Sequence, residues 1–127
     1  MRRSIIALMA AFSCLAFLCL SLPALADNSV LEKDLTEGGA PWALTNLAAE
    51  RATVYVQSLG MGHAVAKVGV VYSGQNNEAA RETTVDAWGS KANSVELWKN
   101  GYKVTAITVR CLTGRIHVKV SYIPSDN

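Results

Sequence analysis

Two histidines and one cysteine lie beyond position 26, the first residues to test for nucleophilic or metal chemistry at neutral pH: His63, His117 and Cys111. A nucleophilic site needs a nucleophile, a base and an orienting group held together. Cys111 and His117 alternate out of phase along their strands, so one would face the core and the other solvent. Gly-x-Ser-x-Gly, the serine nucleophile elbow, is not in the sequence. Met61 and His63 suit copper by softness, but two ligands do not make a site. Glu78, Glu82, Asp86 and Glu96 offer carboxylates with nothing to single out a pair. No catalytic residue, metal or cofactor is assigned on this basis, and the chain leans away from enzyme chemistry.

The better constellation is basic and aromatic. Between Trp98 and Ile123 lie Lys99, Lys103, Arg110, Arg115 and Lys119, with no acid. The first stretch is the reverse: Asp27, Glu32, Asp34, Glu37 and Glu50 face only Lys33. If Thr113-Gly114 is a hairpin turn, Arg110 opposes His117 and Thr108 opposes Lys119. Like charges placed directly opposite one another destabilise a sheet, so something anionic is expected over the row. Three covers fit: the chain's own acidic segment, an acidic partner protein, or an anionic envelope component such as a glycan or lipid head group. A solvated basic face that guards a sheet edge is the simpler alternative. The partner-binding candidates are Arg110, Arg115, His117, Lys119, Trp98 and Tyr102. Trp and Tyr pair an apolar ring with a polar group, which suits half-wet contact surfaces.

Met1-Arg2-Arg3-Ser4 is a short positive start, and Ile5 to Leu22 is almost unbroken apolar sequence. Pro23 breaks it, and Ala24-Leu25-Ala26 has the small-x-small form of a cleavage site. That order predicts a secretory signal peptide over 1–26 and a periplasmic or secreted product beginning at Asp27. The apolar run is short for a spanning helix, so no transmembrane segment is expected after cleavage. The alanine-rich leader suggests a bacterial envelope setting. Removal of Arg2 and Arg3 takes Lys+Arg from 12 to 10, equal to the 10 acids. A neutral exported chain with one small basic patch is a poor fit to nucleic acid. Cys14 and Cys19 leave with the leader, so Cys111 remains alone and no internal disulfide is expected.

About 100 residues remain, enough for one domain with one core. Segment 27–41 is polar, acidic and without period, and reads as a flexible lead-in to a single β-rich domain over 42–127. Trp42 to Arg51 is rich in helix formers behind Pro41 and reads as one short helix. From Ala52 the period is two. Ala52, Val54 and Val56 would meet Val70, Val68 and Ala66 across a three-residue loop at Gly60-Met61-Gly62. Ser73 to Ala80 reads as a loop, Thr83 to Trp88 as a strand, and Val95 to Trp98 as a strand turning at Asn100-Gly101 to pair Leu97 with Val104. In the last hairpin Cys111, Val109 and Ile107 would pair Ile116, Val118 and Val120, which buries Cys111. Val104 and Ala106 are out of phase with Ile107, Val109 and Cys111, which predicts a β-bulge near Ala106 or a strand shared by two layers. The fold class expected is mainly β: a small antiparallel sandwich or curled sheet of about six strands with one N-terminal helix.

The functional expectation is an exported binding or accessory protein using a Tyr/Trp and basic surface. Alternatives are a small-ligand or glycan binder using Trp88, Trp98 and Tyr102, and a small hydrolase or metal protein using His63 or His117.

Overall fold

The computed structural model describes residues 29–125. The leader over 1–26 lies outside them. Eight strands follow in order: β1 (Ser29–Thr36), β2 (Trp42–Leu44), β3 (Ala49–Ser58), β4 (His63–Ser73), β5 (Glu78–Trp88), β6 (Asn93–Leu97), β7 (Lys103–Thr113) and β8 (Arg115–Pro124). Every pairing is antiparallel. The strands form two ladders, β5-β4-β7-β2 and β1-β8-β3-β6, joined by the bridge Ala49–Val104 into one sheet that doubles over. The buried rows of both ladders form a single cluster. Among the described residues no helix is long and apolar enough to cross a membrane.

The strands bury the rows that alternation marks. Ala64, Ala66, Val68 and Val70 of β4 are buried, as are Ile107, Val109 and Cys111 of β7 and Ile116, Val118 and Val120 of β8. Valine and isoleucine dominate because β-branched side chains pack well on a pleated surface. The phase break in β7 is a bulge. Val71 pairs Ala106 while the next residue, Tyr72, pairs Val104, so Thr105 is the extra residue. Val104 also bridges Ala49 of the other ladder, so β7 touches both layers.

The partners of those rows differ from the sequence expectation. β3 pairs β8 and β6, not β4. β6 pairs β3, not β7. β7 and β8 do not pair at all: β7 lies between β4 and β2, and β8 between β1 and β3. The turns expected at Gly60-Met61-Gly62, Asn100-Gly101 and Thr113-Gly114 therefore carry the chain from one ladder to the other. Apolar rows that would lie side by side in a hairpin instead face each other across the core, and either arrangement buries them. Gly114 serves the last crossing. Its φ is +79°, and an added Cβ would lie 3.3 Å from the His63 carbonyl oxygen. The hairpin that does form joins β4 to β5 through Gly74–Asn77, inside the segment expected to be a loop. Tyr102 closes on that turn, and a Cβ at Gly74 would meet its Cε2 at 2.7 Å.

The N-terminal helix is also corrected. Trp42–Leu44 is an edge strand on Val109 to Ile107, and Ala49 begins β3 with no exposed surface. Asn46 turns the chain between them at φ 59°. A ten-residue helix is marginal alone, and placing Trp42, Leu44 and Ala49 on the core outweighs local propensity. The acidic lead-in is likewise ordered, since Ser29–Thr36 forms β1 along the edge of β8.

Candidate binding surface

The outer face of the ladder β1-β8-β3 carries the densest polar arrangement. Alternation turns Arg115, His117 and Lys119 outward on β8, because Ile116, Val118 and Val120 point inward. Register then sets Thr36 beside Arg115, Asp34 beside His117 and Glu32 beside Lys119 on β1. Gln57 and Tyr55 of β3 flank His117 and Lys119 from the other side. The acidic segment thus folds back over part of the basic row.

His117 is the hinge of that contact. Its Nδ1 lies 2.6 Å from Asp34 Oδ1 and its Nε2 2.7 Å from Glu32 Oε1. Both ring nitrogens can donate only in the imidazolium form. The hydrogen bonds from Asp34 and then Glu32 hold the His117 pKa above its ordinary value, against a smaller opposing effect of desolvation. Glu37 finishes the clasp. Its Oε1 accepts from the Gly114 amide at 3.1 Å, and its own amide donates to the Gly114 carbonyl at 2.9 Å.

Glu32 is held by His117 rather than by its cross-strand neighbour Lys119. Lys119 has no carboxylate within ion-pair distance among the described residues. Its Nζ lies over the Tyr55 ring, 5.3 Å from the centroid, and Tyr55 is 41% exposed. A cleft of about 320 Å³ opens there, lined by Glu32, Tyr55, Gln57, Ala92, His117 and Lys119.

The remaining candidates do not join this surface. Arg110 is not opposite His117. It sits on the outer face of the other ladder, opposite Lys67, whose ammonium lies 3.5 Å from Glu82. A shallow dent of about 170 Å³ over Gly69 separates Arg110, Thr108, Lys67, Glu82 and Pro41. Thr108 faces Gly69, not Lys119. The basic row expected from a β7–β8 hairpin is therefore two half-rows on opposite sides of the molecule. Trp98 and Tyr102 lie in the β6–β7 crossing. Arg51 covers the Trp98 ring at 4.7 Å, and Lys99 lies 5.0 Å from the Tyr102 centroid. Tyr102 donates its hydroxyl to Asn77 Oδ1 at 3.1 Å, bracing the β4–β5 turn.

No family model matches the chain, and no curated protein matches it. Among solved structures it is similar to a chain of the Bacillus endospore appendages, described as a novel family of disulfide-linked pili. The identity is 19% over 85% of this chain and 100% of that one, with a TM-score of 0.27. At that score the likeness supports no argument, and the site stands on its own geometry.

His63 stacks on the exposed Trp88 at 4.0 Å between centroids, with Nε2 3.6 Å from Asp86 Oδ1. Its ring is on the opposite ladder from His117. Among the described residues no group of three or more His, Cys, Asp or Glu could hold a metal ion. Cys111 is buried, and its thiol donates to the Gly114 carbonyl at 3.2 Å. Burial, chiefly, raises its pKa, which lowers the thiolate fraction a nucleophile needs. Tyr55 and Gln57 were not among the sequence candidates. Their outward phase was visible from their alternation with Val54 and Val56, but their position beside Lys119 and His117 depends on the β3–β8 pairing.

Proposed function

We propose that the chain is an exported, non-enzymatic binding or accessory protein that engages a partner protein in the envelope or outside the cell. The engaged surface is the outer face of β1-β8-β3. The observation that carries this reading is Lys119 above the half-exposed Tyr55 at the mouth of a cleft. The β1 carboxylates are committed to His117, so the Lys119 cation is left for an acidic group of the partner. Tyrosine is enriched at contact surfaces, and the neighbouring Lys119 charge favours a partner of complementary sign.

The test is capture of partners from a periplasmic or secreted fraction on the immobilised protein, repeated with single variants. Lys119→Glu and Tyr55→Ala each weaken retention of the captured partner, and added salt weakens it further. Arg110→Glu, on the opposite face, leaves it unchanged. Equal losses from Lys119→Glu and Arg110→Glu would remove the assignment to this face. Capture indifferent to Lys119, Tyr55 and salt would remove the reading.

A further inference from the structure

The β6–β7 crossing covers one end of the sandwich and encloses a second cleft, of about 300 Å³, lined by Tyr72, Ala79, Ala80, Arg81, Trp98 and Lys99. Four observations characterise it. Trp98 remains 46% exposed, although Arg51 lies over its ring and is itself held by Glu96 at 3.3 Å. The indole thus stacks on an ion-paired guanidinium while part of it stays open. Arg81 and Lys99, on two different elements, have no carboxylate within ion-pair distance among the described residues. Tyr72 is only 3% exposed, and its hydroxyl is buried without a hydrogen-bond partner. Buried tyrosine hydroxyls normally find one. Finally, the cleft volume falls at the lower end of small-ligand sites.

We propose that this cleft binds an anionic saccharide, a sugar ring bearing a carboxylate or a sulfate. The apolar face of a sugar ring stacks on the open indole. Arg81 and Lys99 meet the anionic group from two sides, as charge-assisted hydrogen bonds require. The sugar hydroxyls supply the polar partners that an aromatic acid would lack. Arg81 lies opposite Val70 on β5, and Trp98 and Lys99 follow β6, so ligand would tie the two ladders together at this end.

The experiment is titration of the purified protein, followed by tryptophan fluorescence and calorimetry, with two matched pairs of probes. Galacturonic acid is set against galactose, and a sulfated N-acetylglucosamine against N-acetylglucosamine. At least one charged sugar binds saturably and its neutral counterpart binds about tenfold more weakly or worse. Binding to the carboxylated sugar alone assigns a uronic-acid ligand, and binding to the sulfated sugar alone assigns a sulfated one. The double variant Arg81→Ala/Lys99→Ala loses that binding, as does Trp98→Ala, while Arg81→Lys/Lys99→Arg retains most of it. Trp88→Ala, which alters the other exposed indole, leaves it intact. Circular dichroism confirms that each variant is folded. The proposal is overturned if neither charged sugar binds, if the neutral sugars bind equally, or if the double alanine variant binds as well as the parent. Inorganic sulfate competing as strongly as the sulfated sugar would likewise overturn it, since the cleft would then hold an anion and not a sugar.

Discussion

The cations of β8 and the cations at the Trp98 end follow two different rules. On β8, Arg115, His117 and Lys119 project from one strand in a row, and the chain lays its own acidic strand beside them. His117 is bracketed by two carboxylates, and β1 pairs along β8 with Leu35 as its only buried side chain. At the Trp98 end, Arg81 and Lys99 come from separate elements, and no acid of the described chain reaches them. In the first cluster His117 is answered from within, while Arg115 and Lys119 have no carboxylate within ion-pair distance among the described residues. The second is open to solvent beside an aromatic ring. A cation paired internally serves the fold first, and an unanswered one is available to a ligand.

Removing the apolar anchor of β1 is the strongest way to break this contrast. Leu35→Ala deletes the side chain that ties the acidic strand to the core, at an expected loss of about 2–3 kcal/mol. Amide exchange over 29–36 should accelerate well beyond that of β7. Chemical shifts around Trp98 should stay in place. If the Trp98 indole moves as much as the β8 amides, the two regions are not independent.

Removing the charge is a smaller perturbation of the same edge. His117→Ala leaves Glu32 and Asp34 on β1 with no cation between them. Hydrogen bonds to a charged group can each contribute more than a neutral one, but this site is partly exposed, so screening limits the loss to about 1 kcal/mol. Denaturant unfolding measures it, and β1 should again be the first segment to lose protection. His117→Lys should recover part of the loss, since it restores the charge without the planar two-sided geometry.

The pH dependence separates the regions without mutation. The folded-state pKa of His117 is raised by Asp34 and Glu32. Its contribution to β1 docking is therefore fully present below the unfolded value of about 6.5 and is lost as pH rises through the folded value. Glu32, Asp34, Gln57, Tyr55 and Lys119 are the groups that surround it. Amide exchange in 29–36, corrected for its intrinsic pH dependence, should show protection weakening as pH rises past the unfolded value and through the folded one. The slope should vanish in His117→Ala. The Trp98 end carries no histidine, and its protection should show no matching trend.

The sequence carries the rows of this fold but not their neighbours. Ile107, Val109 and Cys111 were legible as inward, and so was the break at Ala106, because a period of two marks the face of each residue directly. Whether Val118 lies beside Val109 or across the core from it leaves the same alternation in both strands. Nothing local distinguishes a hairpin at Thr113-Gly114 from a crossing there. The acidic segment was legible as a complement to the basic row but not as a strand, since a run of Glu, Lys and Asp has little β propensity and is ordered by what it pairs with. The same ambiguity decided the candidate site. Lys119 and His117 could be placed on an outer face, but the choice of Arg110 as their neighbour rested on a β7–β8 pairing that the fold does not make. Tyr72 and Arg81 gave no signal at all, because their juxtaposition with Trp98 requires β6 and β7 to belong to different ladders.

The smallest expected effect bears on the open cluster. Tyr72→Phe removes a hydroxyl that has no partner in the protein and leaves the ring packed in the core. A hydroxyl that has lost its water on folding and gained nothing burdens the folded state. The variant should therefore be as stable as the parent or somewhat more so, measured by denaturant unfolding. A Tyr72 hydroxyl bonded within the fold would give the opposite sign. Stability that holds or rises would mean that this hydroxyl contributes nothing to the fold. Clear destabilisation by Tyr72→Phe would make it part of the fold, and the contrast between an internally satisfied edge and an unsatisfied end would fail at this residue.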